Sequence, residues 1–361
     1  MSGQRGFFDI DERYAALSAA GYPLQRLASV VDFEVFRPVL DAALARSDRS
    51  KGGRPPYDAV LMFKLLVLQA LYALSDEQAE FQLRDRLSFM RFVGLELHDA
   101  VADAKTIWLY RDQLKRAGAI EDLFRRFEAV LTDKGYLAMG GQIIDATVVA
   151  APKQKLTADE KAVIKQGGTP AGWSKAKRRQ KDRDARWTLK RGRAKPKPQS
   201  GNGATRVPVE IAVPVFGYKS HLNIDRRHGL IRGWTVTDAA AHDSRSFTDL
   251  LDATNTASPV WADTAYRTKR NLSALQRSGL SERLQFRRPP HRSLSGPRAK
   301  ANAARARVRS AIEHVFARQK HRMALFVRTI GLARARVKIG LANLAYNFTR
   351  LAWLDTRIAP A

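Results

Sequence analysis

Three acidic residues lie in surroundings that are otherwise apolar or basic. Asp145 interrupts the apolar run IIDATVV, Asp263 follows the apolar segment PVWA, and Glu313 is the only acidic residue between Arg283 and Leu354. A carboxylate in an apolar strand costs free energy unless it is paired or bound to a cation. Oxygen donors without cysteine favour the hard cations Mg²⁺ or Mn²⁺. Two such ions, roughly 3.5 to 4 Å apart, can bind the attacking and leaving oxygens of a phosphoryl transfer, so the three acids predict a nuclease-type site.

Each acid also has a purely structural explanation. Asp145 could cap a turn, Asp263 could accept hydrogen bonds from backbone amides, and Glu313 could neutralise Arg309 one helical turn earlier. The metal site is favoured because the three acids occur together, on two predicted strands and one predicted helix.

Two basic residues accompany the last acid. At about 100° per residue, Arg309 and Lys320 lie about 40° and about 20° from Glu313, so the three share one helix face and the cations are placed to hold phosphates. The whole chain has 63 Lys or Arg residues against 35 Asp or Glu, a formal net charge of +28. Nucleic acid is therefore the partner that the charge favours.

Further DNA contacts are predicted from less specific patterns. Lys219 and His221 alternate along a strand, so they share a face that either contacts phosphate or is merely exposed. His242 comes just before a predicted helix, where it could contact DNA or order the site. Asp243 next to it is expected to cap that helix.

The change in periodicity near residue 136 divides the chain into two parts. Residues 1–135 are predicted to form a helical domain, either a DNA binder of the helix-turn-helix type or a bundle that packs or dimerises. Residues 136–355 alternate strands and helices, including a strand at ERLQFRRPP and a long helix from ARVRS towards LAWL. This order is typical of an α/β or α+β domain whose mixed sheet is covered by helices.

A strongly basic insert follows the first strand. Residues 151–206 hold 17 Lys or Arg residues against four Asp or Glu. This composition predicts a mobile segment with one short helix around KDRDARWTLKR. The rings of Trp173 and Trp187 suit a segment that clamps a phosphate backbone.

Several classes of protein are disfavoured. No apolar run approaches the roughly 20 residues of a membrane-spanning helix, and the first residues lack a signal-peptide pattern, so we expect a cytoplasmic protein without a membrane partner. The chain has no cysteine, which excludes disulfides and thiolate zinc sites. No glycine-rich phosphate loop is present, so no nucleotide cofactor is expected.

The segments IIDATVV, FGYKSHLNID, AAAHDSRSF, VWADTAYRT and RSAIEHVFARQK together resemble the DDE transposases of bacterial insertion sequences, most closely the family numbered five. The similarity spans about residues 55–355. It implies a ribonuclease H-like fold behind a helical N-terminal domain. It also implies that Asp145, Asp263 and Glu313 bind divalent metal for DNA cleavage and strand transfer.

The same resemblance assigns two more positions and shows one departure. Arg309 and Lys320 match the arginine and lysine of the family's tyrosine-arginine-glutamate-lysine motif, but Ala306 stands where the tyrosine is expected. The resemblance thus predicts a metal-dependent transposase that acts on terminal inverted repeats and target DNA, with two Mg²⁺ or Mn²⁺ ions, as a homodimer in the DNA complex and near the bacterial nucleoid. The alternatives are a catalytically inactive DNA-binding descendant and a nuclease without strand transfer.

Overall fold

The computed structural model describes residues 8–44, 55–193 and 210–358. The part of the basic insert at 194–206 therefore lies outside the described residues.

The described N-terminal region is helical, as predicted. Its helices begin and end at the expected signals: Ser75 and Gln78 form a capping box, and Asp103 caps the following helix through the Thr106 backbone amide. Gly94 ends another helix in the left-handed conformation that favours glycine. The helices are α1 (Asp9–Ala19), α2 (Pro23–Val30), α3 (Arg37–Ala43), α4 (Ala59–Tyr72), α5 (Asp76–Asp85), α6 (Leu87–Val93), α7 (Ala104–Ala117) and α8 (Ala119–Asp133).

A mixed sheet follows, and it confirms the predicted fold class. Its strands are β1 (Gln142–Ala150), β2 (Arg186–Arg193), β3 (Glu210–Asp225), β4 (Ile231–Asp238), β5 (Pro259–Trp261) and β6 (Ser281–Glu282). The order is β2-β3-β1-β5-β6, with β4 also paired to β3. Strand β3 runs antiparallel to β1, β2 and β4, whereas β1, β5 and β6 run parallel. This is the mixed sheet of a ribonuclease H-like domain.

Helices cover the sheet and connect it to the N-terminal region. They are α9 (Ala158–Lys165), α10 (Lys175–Gln180), α11 (Lys269–Arg277), α12 (Gly296–Ala317) and α13 (Leu332–Ile358). Helix α12 packs on β1 and β5, while α13 packs on β4 and also on α2, α4 and α8. One hydrophobic core consequently runs from Leu24 to Ala352. The boundary near residue 135 stays a prediction, and α13 is shared by both regions.

The basic insert differs from its prediction. From Arg186 onwards the segment KDRDARWTLKR forms β2 rather than a helix, because its backbone pairs with the first half of β3 and this non-local pairing outweighs local propensity. Helices α9 and α10 precede it. Trp173 is only 4% exposed, and its Nε1 donates to Glu160 Oε1 at 2.7 Å. Trp173 therefore offers no ring to a phosphate backbone, and the described part of the insert is folded.

Two later segments also differ. The strand predicted at ERLQFRRPP is reduced to β6, because the Phe286 backbone is hydrogen-bonded at both its amide (2.8 Å) and its carbonyl (3.0 Å) by the Asn302 side chain of α12. The long C-terminal helix is broken between α12 and α13. There the chain crosses to β1, where Val327 N donates to Ala150 O at 3.0 Å.

In the described part of the chain, no single helix is both long and apolar enough to cross a membrane, and α4 with α5, bent by 104°, pass that test only as a pair.

Candidate active site

The first two acids belong to neighbouring interior strands of the sheet: Asp145 lies within β1, and Asp263 follows β5 by two residues. Strands β1 and β5 are parallel neighbours, with Gln142 opposite Val260 and Ile143 opposite Trp261. Asp145 comes two residues after Ile143 and Asp263 two residues after Trp261, and the charge of Asp263 acts on the pKa of Asp145, so the two carboxylates are near each other. Since adjacent strands are about 4.8 Å apart, the predicted convergence of these two carboxylates agrees with the sheet.

Asp145 is a nearly buried carboxylate with one cationic partner. Its side chain is 14% exposed, its Oδ2 accepts a hydrogen bond from Arg309 Nη1, and its Oδ1 accepts one from the Ala146 amide at 2.8 Å. Burial raises the pKa of Asp145 to about 6, and the nearby charge of Asp263 acts in the same direction. Arg309 opposes this rise, so the anion is held by a single guanidinium.

Asp263 begins a short 3-10 turn, Thr264–Tyr266, directly after β5. Its Oδ1 accepts a hydrogen bond from the Ala265 amide at 2.8 Å, which is the structural role considered for it. Burial nevertheless raises the pKa of Asp263. The amide contact therefore does not fully compensate for the lost hydration of this carboxylate.

Glu313 is not gathered with Asp145 and Asp263 into one group. Its side chain is 55% exposed on α12, and its Oε1 accepts a hydrogen bond from Arg309 Nη2 at 2.5 Å. Arg309 thus binds Asp145 and Glu313 at once. Within residues 8–44, 55–193 and 210–358, no three His, Asp or Glu side chains are gathered closely enough to hold one metal ion.

The donor set still fits a divalent cation. Asp145 and Asp263 are buried oxygen donors whose anionic forms are both destabilised by burial, and a hard cation would relieve that cost. Glu313 lies on the helix that packs against both strands.

Lys320 reaches the same strand face as Arg309. Its Nζ donates to Thr147 Oγ1, and Thr147 is two residues after Asp145 on β1, so the two point to one side of the sheet. The sequence predicted a shared face on a regular helix. In fact Lys320 lies in a π-helical turn, Arg318–Arg322, that follows α12. Such turns are frequent at functional sites.

The face that carries Lys219 and His221 is covered, so the expectation of a merely exposed face is wrong. Lys219 Nζ is 2.7 Å from Ala241 O and 2.8 Å from Asp243 Oδ1. His221 is fully buried, and its Nε2 lies 2.8 Å from Thr237 Oγ1. Burial lowers the pKa of His221 to about 4. Strand β4 and the turn after it cover the His221 ring, so the ring cannot contact a phosphate in this structure.

His242 and Trp187 do reach the surface. His242 is exposed, and its Nδ1 accepts a hydrogen bond from the Ser244 amide at 3.3 Å. The ring of His242, rather than Asp243, therefore caps the turn, because the Asp243 carboxylate forms an ion pair with Lys219. Trp187 on β2 is 38% exposed. A DNA contact by either residue stays a prediction.

One residue of the site was missed. Tyr266 is fully buried, and its hydroxyl has no hydrogen-bond partner among the described residues. Burial raises its pKa, and the charges of Asp145, Asp243 and Asp263 act in the same direction, which places the phenol near these carboxylates. Its position three residues after Asp263 was the available signal.

Comparison with known families agrees with this arrangement. A family described as "Transposase DDE domain" matches residues 136–348, a range that includes all three acids. A second family, "Transposase domain (DUF772)", matches residues 11–113. No solved structure gives a significant match. The finer assignment to insertion-sequence family five stays a prediction. Because the first match covers more than half of the chain, the protein belongs to the DDE transposases.

Proposed function

We propose that this chain is an active transposase of a bacterial insertion sequence, of the family numbered five. It would cut DNA at the element ends and join the freed 3′-hydroxyl to target DNA. In each step an oxygen attacks phosphorus as one P–O bond forms and another breaks. The observation that supports this proposal most is the pair of buried acids, Asp145 and Asp263, on neighbouring parallel strands under α12.

The side chains have distinct roles in this proposal. Asp145 and Asp263 would hold the first of two Mg²⁺ or Mn²⁺ ions, and Glu313 would complete the second. Bound divalent cations lower the cost of charge on the attacking and leaving oxygens. Arg309, which neutralises Asp145 and Glu313 in this structure, would turn to a DNA phosphate together with Lys320. The guanidinium would then hold the acids when DNA is absent and the phosphate when DNA is present.

DNA supplies the rest of the assembly. The net charge of +28 favours a polyanion over the whole surface. We infer that the region matched by the second transposase family reads the terminal inverted repeats, and that two chains pair the two element ends as a homodimer. His242 and Trp187 would add exposed DNA contacts. The site of action would be the bacterial nucleoid in the cytoplasm.

The test uses a plasmid that carries the element ends. Wild-type protein is expected to nick it and to produce joined products in Mg²⁺ but not in EDTA. Glu313→Gln should bind the ends with unchanged affinity and lose both products, whereas Asp249→Asn, which changes an exposed acid, should behave as wild type. Metal-independent nicking, or full joining by Glu313→Gln, would refute the proposal.

A second candidate is a transposase descendant that binds DNA without cutting it. It is favoured by the ion pairs of Arg309, which occupy two of the three acids. In that case wild-type protein would bind the ends yet give no product with either Mg²⁺ or Mn²⁺. Nicked but never joined DNA would instead identify a nuclease without strand transfer.

A further inference from the structure

A cavity of about 570 Å³ lies outside the candidate active site. It is formed by helices α4, α5, α7 and α13 and by the segment that joins α12 to α13. Its apolar wall includes Leu66, Ala70 and Leu341, and it carries the rings of Trp108 and Phe326. The joining segment is bonded to the end of β1 through Val327 and Ala150. Five strand residues, on the order of 16 Å, separate that bond from Asp145.

The charged residues of the cavity are not all balanced by one another. Arg111 makes two hydrogen bonds of 2.7 Å to Asp76, and Lys115 is paired with Asp112. Glu77 and Arg334 also line the cavity, and Arg334 lies 3.7 Å from Asp112. The two other cations are Arg328 and Lys338. Neither has a carboxylate within ion-pair distance in the part of the chain that the structure describes. Arg328 lies over the Phe326 ring, 5.2 Å from its centroid.

Lys338 gives the stronger evidence for a missing anion. It lies on α13 and is partly buried, and it makes no hydrogen bond to any described residue. Burial, together with the charges of Arg111 and Arg328, lowers its pKa to about 8. Asp76, the acid that opposes this, is already engaged by Arg111 and by Gln69 at 2.8 Å. An ammonium group in such a place lacks an anion.

We propose that this cavity binds a nucleotide unit, with the phosphate at Lys338 and Arg328 and the base against Trp108 and the apolar wall. The volume lies within the range of small-molecule sites. A ligand that is both anionic and flat matches two free cations beside exposed aromatic surface, and Trp108 is 44% exposed. Because the protein belongs to a DNA-handling family, the expected source is an unpaired nucleotide of bound DNA.

This inference goes beyond the cleavage chemistry and does not depend on it. Asp145, Asp263 and Glu313 do not line the cavity. Binding measured in EDTA with the full-length chain therefore tests the cavity alone, and an inactive catalytic site would not alter the result.

The experiment is calorimetric titration in EDTA with thymidine 5′-monophosphate, thymidine, inorganic phosphate, and two DNA duplexes that differ only in an unpaired end of two nucleotides. The monophosphate is expected to bind at least tenfold more tightly than thymidine or phosphate. Lys338→Gln should weaken its binding at least tenfold, and Trp108→Leu should weaken it several-fold. Lys105→Gln, an exposed lysine of α7 outside the cavity, is the matched control and should have no effect.

The duplex arms identify the source. Tighter binding of the duplex with unpaired nucleotides, lost in Lys338→Gln, supports DNA. If the free monophosphate binds but the duplex with unpaired nucleotides binds no more tightly than the other duplex, the ligand of the cavity is a free nucleotide. The proposal is overturned if Lys338→Gln and Trp108→Leu, both with wild-type thermal unfolding, bind the monophosphate as wild type does. It is also overturned if phosphate alone binds more tightly than the monophosphate.

Discussion

Arg309 of helix α12 is hydrogen-bonded to Asp145 of strand β1. This contact joins the helix to the sheet at the point where the two paired acids lie. It also means that the guanidinium and a metal ion would compete for the same carboxylate oxygen. The site in this structure is therefore held by an internal cation.

Arg309→Gln tests how much this contact stabilises the fold. Removing one partner of a mostly buried ion pair leaves the other charge uncompensated, so the free energy of unfolding should fall by about 3 kcal/mol. Asp145→Asn in the same chain should restore most of that loss, because the carboxylate that Arg309 neutralises at this point is then uncharged. Urea unfolding of the single and double variants measures both effects. Arg307→Gln, at an exposed position of α12, should change stability by less than about 0.5 kcal/mol. Equal losses in the single and double variants would contradict the assigned pair.

Lys320→Met tests the second cation. If Lys320 contacts a DNA phosphate, its removal should weaken binding to all sequences alike and reduce the slope of log affinity against log salt by about 0.9. Fluorescence anisotropy across a salt series measures this slope. Thr147→Val is the companion variant, because it removes the partner of Lys320 in this structure and keeps the charge. An unchanged slope in Lys320→Met would exclude a phosphate contact.

His221 predicts a defined dependence of stability on pH. The buried ring takes up a proton only near pH 4, whereas the unfolded chain does so near its ordinary value of 6.5. Unfolding therefore binds a proton between these values, and the stability from this histidine is complete above about pH 6.5 and is lost as the pH falls towards 4. The loss should be on the order of 3 kcal/mol. The difference in unfolding free energy between wild type and His221→Gln, followed from pH 7 to pH 4, should shrink by that amount. A constant difference would show that the ring is not buried in its neutral form.

Gly340 tests the attachment of α13 to both regions. A Cβ at this position would lie 2.4 Å from Ile120 Cγ2 of α8 and 2.8 Å from the Trp234 ring of β4. Gly340→Ala should therefore destabilise the protein by about 1 to 2 kcal/mol, despite the better helix propensity of alanine. Thermal unfolding should show one lowered transition. Gly172→Ala, where the added carbon meets no atom within 4 Å, is the control. A more stable Gly340→Ala would mean that this contact is loose.

The sequence predicted the strands and acids of the site because local patterns carry that information. Apolar runs of β-branched residues identify β1, and the same runs make Asp145 and Asp263 conspicuous. Helical spacing predicted one shared face for Glu313, Arg309 and Lys320, although Lys320 lies in the π-helical turn after α12. Two of these side chains, those of Arg309 and Lys320, do reach the Asp145 face of β1.

What the sequence could not predict depends on non-local contacts. KDRDARWTLKR becomes a strand only because β3 is long enough to pair with it as well as with β1. His221 has the alternation of an exposed strand residue and is buried by the turn after β4. The sequence offered both Arg309 and a metal ion as partners of Glu313, and spacing alone could not decide between them; in the structure the partner is Arg309. The predictions from sequence are therefore wrong where segments distant in the chain contact each other.

The central claim is that Asp145, Asp263 and Glu313 together hold divalent cations. Mn²⁺ binding, measured by electron paramagnetic resonance on full-length protein bound to element-end DNA, tests it most directly. We predict two Mn²⁺ ions per active site in wild type, and the loss of at least one ion in each of Asp145→Asn, Asp263→Asn and Glu313→Gln, with DNA binding unchanged. Wild-type Mn²⁺ number and affinity in all three variants would contradict the account.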